Sequence, residues 1–133
     1  MPTESHPLID AETLDAVAAA LARADAAGDH ASASLLGATL AAGQAANAGR
    51  LAEARFALGP VLEASPEPAA LFLCFQLWFR ASVAPGVGRE ERAEGLRAAA
   101  KAAERRVQLG RSTPGSRDLG RAHTNLALAL HYL

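Results

Sequence analysis

Residues Ala69–Val83, AALFLCFQLWFRASV, form the most apolar stretch of the chain. They include three of its four phenylalanines, its only tryptophan and its only cysteine. Between Leu71 and Arg80 only Gln76 and Arg80 itself are polar. A helix that is apolar all round is normally buried all round, and this stretch is shorter than the roughly 20 apolar residues that a bilayer requires. We therefore expect a central, buried helix against which the rest of the chain packs.

Composition limits the class of protein. The 133 residues suffice for one domain with its own core, and 50% hydrophobic with 20% charged residues is typical of globular proteins. Alanine dominates, which favours helices, and no window alternates in the way that predicts a strand. One cysteine excludes an internal disulfide. The first ten residues lack the pattern of a signal peptide, so we expect a cytoplasmic location.

Glycine and proline divide the chain into six predicted helices. We expect a disordered end over residues 1–9 and then a single domain over residues 10–133. Asp10 is a candidate N-cap and Gly28 a candidate C-cap of the first helix. The predicted helices cover residues 11–27, 31–47, 50–64, 69–83, 89–109, and from 116 or 118 to 132.

Residues 35–68 carry a spaced pattern of small, apolar and helix-breaking residues. Its members are Ala41, Ala42, Ala45, Gly49, Ala54, Leu58, Val61 and Pro66. The pattern resembles the tetratricopeptide repeat, which has a period of 34 residues. The segment Gly120–Leu133 resembles the first helix of another such repeat, through Asn125, Leu126, Ala127 and Leu130.

The resemblance implies an all-α fold, a right-handed stack of antiparallel helix pairs, with residues 69–109 as a stretched middle repeat. Two positions depart from the family pattern. Ala38 stands where the family has a large aromatic residue, and either Cys74 or Gln76 occupies the small-residue position of the middle repeat. A generic alanine-rich helical bundle is the alternative fold.

The same resemblance implies a function as a non-catalytic interaction or regulatory module. In this family the first helices of successive repeats line a groove that binds a peptide or helix of a partner. The positions so implied are Leu36, Thr39, Ala46, Asn47, Leu73, Leu77, Arg80, Arg121, Thr124, Leu128 and His131. Asn47 and Arg80 would hold a partner's backbone or carboxylate. The alternative is that Asn47 caps a helix and Arg80 is an ordinary surface arginine.

The last predicted helix has an apolar face formed by Leu126, Leu130 and Leu133. A further helix of a repeat protein would cover this face. We therefore expect either a homodimer through this helix or a chain that is a fragment of a longer repeat protein.

No constellation predicts catalysis, a metal or a cofactor. His123 and His131 are eight residues apart on one helix, about 12 Å of rise, which is too far to share an ion. Cys74 lies in the most apolar helix, where a buried structural thiol is expected rather than a nucleophile. No glycine-rich loop has the spacing of a phosphate-binding motif. We therefore expect a protein that is not an enzyme and has no cofactor.

Charge is unevenly distributed along the chain. The part before Arg80 carries nine acidic and three basic residues, and the part from Arg80 onward carries five acidic and ten basic residues. One interpretation is that the two halves pair with each other. The alternative is an anionic partner such as nucleic acid, bound through Arg89, Arg92, Arg97, Lys101, Arg105, Arg106, Arg111, Arg117 and Arg121. Interleaved glutamates and the absence of exposed aromatic residues weigh against nucleic acid.

Overall fold

A computed structural model describes residues 7–111 and 118–133, and over these residues it contains α-helices and no strand. The helices are α1 (Ala11–Ala26), α2 (His30–Asn47), α3 (Leu51–Ala64), α4 (Pro68–Ser82), α5 (Arg89–Arg111) and α6 (Asp118–Tyr132). The predicted all-α class is therefore confirmed, with helix ends within about two residues of the predicted ones. Residues 1–6 of the predicted disordered end lie outside the described residues, as does Arg117 of the predicted basic surface.

Glycines in the left-handed region end the first two helices. Gly28 has φ +71° and Gly49 has φ +87°, values that residues with a side chain rarely adopt. The residue after each glycine donates its backbone N–H to a carbonyl oxygen in the last turn of the helix: Asp29 donates to Ala24 and Arg50 to Ala45, both at 2.9 Å. This closure satisfies carbonyls that a helix end otherwise leaves free. The predicted end of α1 at Gly28 is thus confirmed.

The central position of α4 follows from its apolar surface. It contacts each of the other five helices, and Leu71, Leu73, Cys74 and Leu77 have no exposed surface. Burial is nevertheless incomplete, because Phe72, Trp78 and Phe79 are only half-buried. The expectation of burial on every side is therefore wrong along one edge of α4.

Helix α1 covers α2 and part of α4. Gly43 of α2 marks the contact, because a Cβ there would lie 2.7 Å from Leu14 Cδ2 of α1 and 3.0 Å from Leu73 Cδ1 of α4. On the same side of α2, Leu36 and Thr39 are buried. The face of α2 that the repeat resemblance assigns to a partner is thus covered by α1.

Helix α6 packs mainly on α5 and touches α4 only weakly. Ala122 and Ala129 form its buried face. Near its end, the Tyr132 ring meets the Phe79 ring edge-on, with centroids 5.4 Å apart. None of the described helices combines the length and apolarity needed to cross a membrane.

The closest approach of α4 and α5 is at Gly95. A Cβ at this position would lie 1.7 Å from Ser82 Oγ, 3.0 Å from Ser82 Cβ and 3.4 Å from the Trp78 carbonyl oxygen. Rotation of the Ser82 hydroxyl would relieve the first contact, but the contact with Ser82 Cβ would still require the two helices to shift by a few tenths of an ångström. The hydrogen atom of Gly95 is therefore what allows α5 to lie so close to α4.

We predict that Gly95→Ala lowers the free energy of unfolding by about 1–3 kcal/mol, the usual range for overpacking a core. The matched control is Gly37→Ala in α2, where a Cβ would meet no atom within 4 Å. Because alanine favours helix over glycine, the control is expected to raise stability by up to about 1 kcal/mol. Urea unfolding followed by circular dichroism measures both, and equal stability of the two variants would contradict the packing described.

Candidate functional site

The segment that precedes α1 lies across α2 and α4. Ile9 is fully buried, and its backbone N–H donates to Asn47 Oδ1 at 2.9 Å. Asn47 Nδ2 donates in return to the Ile9 carbonyl oxygen at 3.0 Å. A buried residue needs partners for both its backbone N–H and its backbone C=O, and this one side chain supplies both. Asn47, predicted to hold a partner's backbone, here holds the backbone of its own chain.

Asp10 binds two polar side chains of α4. Arg80 Nη1 donates to Asp10 Oδ1 at 3.0 Å and Nη2 to Oδ2 at 3.3 Å, while Nη1 also donates to the Leu8 carbonyl oxygen at 3.0 Å. Gln76 Nε2 donates to Asp10 Oδ2 at 3.1 Å, and the Asp10 N–H donates to Gln76 Oε1 at 3.4 Å. We refer to Asn47, Gln76 and Arg80 together as the N-terminal clamp.

The hydrogen bond from Arg80 lowers the pKa of the Asp10 carboxyl below its ordinary value, and Gln76 acts in the same direction, although partial desolvation opposes both. The pair lies at the surface, since the side chains of Arg80 and Asp10 are 39% and 49% exposed. Solvent screening limits such a pair to about 0–1 kcal/mol. The ion pair therefore contributes little to the stability of the fold.

Three sequence-based expectations about this region are corrected by the structure. The disordered end does not extend to residue 9, since Ile9 is buried. The Asp10 side chain makes no capping hydrogen bond to α1, because Arg80 and Gln76 bind it instead. Leu73 and Leu77, assigned to the partner groove, are fully buried and have no surface to offer a partner.

The two alternatives for Asn47 and Arg80 do not describe the contacts observed. Asn47 is the last residue of α2, but its side chain bonds to Ile9 rather than to the end of its own helix. Arg80 is half-exposed, yet it is fixed by Leu8 and Asp10. Leu36, Thr39 and Ala46 of the implied groove are buried as well.

An open depression remains between the start of α1 and α6, and we call it the α4 groove. It consists of three adjoining cavities of about 400, 280 and 470 Å³. Asp10 lines the first two cavities, and Phe72 and Arg121 line the second and third. Because neighbouring cavities share lining residues, the three lie side by side from Arg80 to Thr124.

Phe72 lies in this groove, and behind it stand two further phenylalanines of α4. The ring centroids of Phe72 and Phe75 are 6.4 Å apart, and those of Phe75 and Phe79 are 5.3 Å apart, both pairs being stacked. The guanidinium carbon of Arg106 lies 4.8 Å from the Phe72 centroid, a cation–π distance. Because Phe72 is held in this way and remains half-buried, it gives the groove a firm apolar floor.

The predicted binding residues of α6 lie at the surface. Arg121, Thr124, Leu128 and His131 are all exposed, and Arg121 and Thr124 line the α4 groove. Sequence reasoning did not assign Phe72, Gln76 and Asp10 to this site. One available signal was the spacing of Gln76 and Arg80, two polar side chains four residues apart on an otherwise apolar helix, which face the same side.

The residues predicted to form a homodimer face do not share one environment. Leu126 packs against the core, whereas Leu130 and Leu133 are 54% and 53% exposed. The exposed pair forms an apolar end to α6 together with Leu128 and Tyr132. The homodimer stays a prediction.

Several cationic side chains of the predicted basic surface contact other residues of the protein. Arg106 is buried, Arg105 Nη1 donates to the Leu62 carbonyl oxygen at 2.7 Å, and Lys101 pairs with Glu63. With the pair of Arg80 and Asp10, these contacts join the basic second half of the chain to the acidic first half. They agree with the interpretation that the two halves pair with each other.

Cys74 has the setting of a buried structural thiol. Burial raises the pKa of the Cys74 thiol to about 12, so it stays protonated and unreactive at neutral pH. Within residues 7–111 and 118–133, no three histidine, cysteine, aspartate or glutamate side chains come together in a way that could hold a metal ion.

Comparison with protein-family models, with curated proteins and with solved structures gives no match. The tetratricopeptide resemblance therefore stays a prediction, and the geometry of the site is the stronger guide to function.

We predict that acid weakens the contact between Asp10 and Arg80. Because the pKa of Asp10 is lowered in the folded protein, its contribution to stability is fully present above the ordinary pKa near 4 and is lost as the pH falls through the lowered value. An NMR titration of the Asp10 carboxyl carbon measures this pKa. It should rise toward the ordinary value in Arg80→Gln, and an unchanged titration in that variant would contradict the pairing.

Proposed function

We propose that the protein is a non-catalytic interaction module, of the tetratricopeptide-like kind, which binds a peptide or helix of a partner protein in the α4 groove. The observation that carries this proposal is the continuity of the groove, since Asp10, Phe72 and Arg121 join its three cavities. An elongated path suits a chain segment better than it suits a compact small molecule.

The lining of the groove has the mixture that peptide recognition uses. Phe72 supplies an apolar floor, Thr124 an exposed hydroxyl, and Arg121 an exposed guanidinium that takes part in none of the ion pairs found between described residues. Aromatic residues and arginine are the side chains that contribute most to protein interfaces. An apolar side chain of the partner would pack on Phe72, and a carboxylate or carbonyl would accept from Arg121.

The alternative, an anionic partner such as nucleic acid bound through the basic second half, has weaker support. Lys101, Arg105 and Arg106 are engaged with the protein itself, which removes three of the cations on which it depends. A continuous row of free cations is what phosphate contact requires.

Selection from a random peptide display library on the wild-type protein tests the proposal. We predict ligands whose affinity falls at least tenfold in Arg121→Glu and in Thr124→Arg, because the first reverses the charge of the groove wall and the second fills the groove. Fluorescence polarisation of the labelled peptides measures the affinity.

The matched control is Arg97→Glu, which makes the same change of charge at an exposed site of α5 outside the groove. It should leave the affinity within about twofold. Selection of no ligand, or of ligands equally sensitive to Arg97→Glu and Arg121→Glu, would count against binding in the groove.

A further inference from the structure

We propose that residues Leu8–Asp10 are a built-in ligand of the N-terminal clamp, and that a partner peptide with an aliphatic residue followed by an acidic residue binds by displacing them. This inference rests on the proposed peptide-binding function and names the class of peptide. It also makes the segment a device that keeps one end of the α4 groove closed until such a partner arrives.

Asn47 of the clamp binds the backbone of the ligand. Asn47 accepts from the N–H and donates to the carbonyl of the same residue, Ile9. Any residue other than proline offers this pair of groups. The contact therefore fixes an extended chain in register without selecting its sequence.

Two features beside Asn47 select side chains: the buried position that Ile9 occupies, and the Arg80 and Gln76 groups that bind Asp10. The position of Ile9 is fully buried, so a polar residue there would lose its water without a partner. At the next position, both nitrogens of the Arg80 fork and the Gln76 amide bind the two oxygens of Asp10. Such paired donors match the planar geometry of a carboxylate. An aliphatic residue followed by an acidic one is the pattern that satisfies both positions.

The built-in ligand is placed where it can leave without unfolding the domain. It precedes α1 and begins at the exposed Pro7, while α1 is held separately through Leu14 and the buried Val17. The ion pair of Asp10 and Arg80 is half-exposed to water. Arg80 can therefore readily exchange Asp10 for the acidic side chain of a partner. The same three clamp residues are then available to a second chain.

A tethered ligand competes strongly with a free one. A short tether gives an effective concentration on the order of millimolar, so a free peptide of moderate affinity binds the wild-type protein poorly. Loss of the tethered contacts should raise the apparent affinity for the free peptide at least tenfold.

The test uses the full chain with the double substitution Ile9→Ser and Asp10→Ser, which weakens the built-in ligand and leaves the clamp intact. The probe is a fluorescent synthetic peptide with the sequence of residues 4–10, amidated so that the aspartate side chain is the only carboxylate at that end. We expect saturable binding at least tenfold tighter than to the wild-type protein. Adding Asn47→Ala to the double variant should abolish this binding.

Two control peptides test the selectivity. The one with Ile9→Ser should bind at least tenfold more weakly, and the one with Asp10→Asn about two- to fivefold more weakly, which is the range that a half-exposed ion pair allows. Should the double variant not fold by circular dichroism, Asp10→Asn alone provides a smaller comparison, in which the probe should bind about two- to fivefold more tightly than to the wild-type protein. Equal binding of the probe to variant and wild type, or none to either, would overturn the inference.

The two proposals fail in distinguishable ways. If library peptides bind through Arg121 while the residue 4–10 peptide does not bind the folded variant, the built-in ligand is wrong and the groove stands. If no peptide of either kind binds, the proposed function itself is wrong.

Discussion

A buried residue must have partners for its backbone N–H and for its backbone C=O, and at Ile9 one side chain meets both requirements. Asn47 stands at the end of α2, where its amide faces the extended chain that leads into α1. Because Ile9 is fixed at this point, α1 starts beside α4 and runs over α2. The start of the first helix, and with it one end of the candidate site, is set by this contact, while Leu14 and Val17 hold the rest of the helix.

The site results from an incomplete covering of α4. Helix α1 covers Leu73 from one side, since the same Gly43 lies against both Leu14 and Leu73, and α5 lies close on another side because Gly95 has no side chain. Helix α6 stays with α5 and barely reaches α4. The strip of α4 between α1 and α6 therefore keeps Phe72 half-exposed, and this strip is the floor of the groove.

The sequence predicted the helices well because their ends are set locally. Gly28 and Gly49 adopt a backbone conformation that favours glycine, and Pro68 is well suited to the first position of α4. The buried centre of α4 also followed from composition. These features depend on residues close to one another in the sequence.

The site was less predictable because it depends on long-range packing. The sequence predicted a helix over residues 11–27, but nothing in it specified that this helix would lie beside Leu73 in place of an open groove. Asp10 was expected to cap its own helix, which is a local role. Its side chain binds Arg80 instead, 70 positions away in the sequence. The spacing of Gln76 and Arg80 places two polar side chains on one side of α4, but it does not indicate that their partner is in the same chain.

Amide hydrogen exchange of Ile9, followed by NMR, tests the central claim most directly. If Asn47 and the core hold this residue, its N–H should exchange at least a hundredfold more slowly than in an unstructured peptide, and Asn47→Ala should remove much of that protection while α4 stays protected. Exchange of the Ile9 amide at the unprotected rate in the wild-type protein would contradict the account.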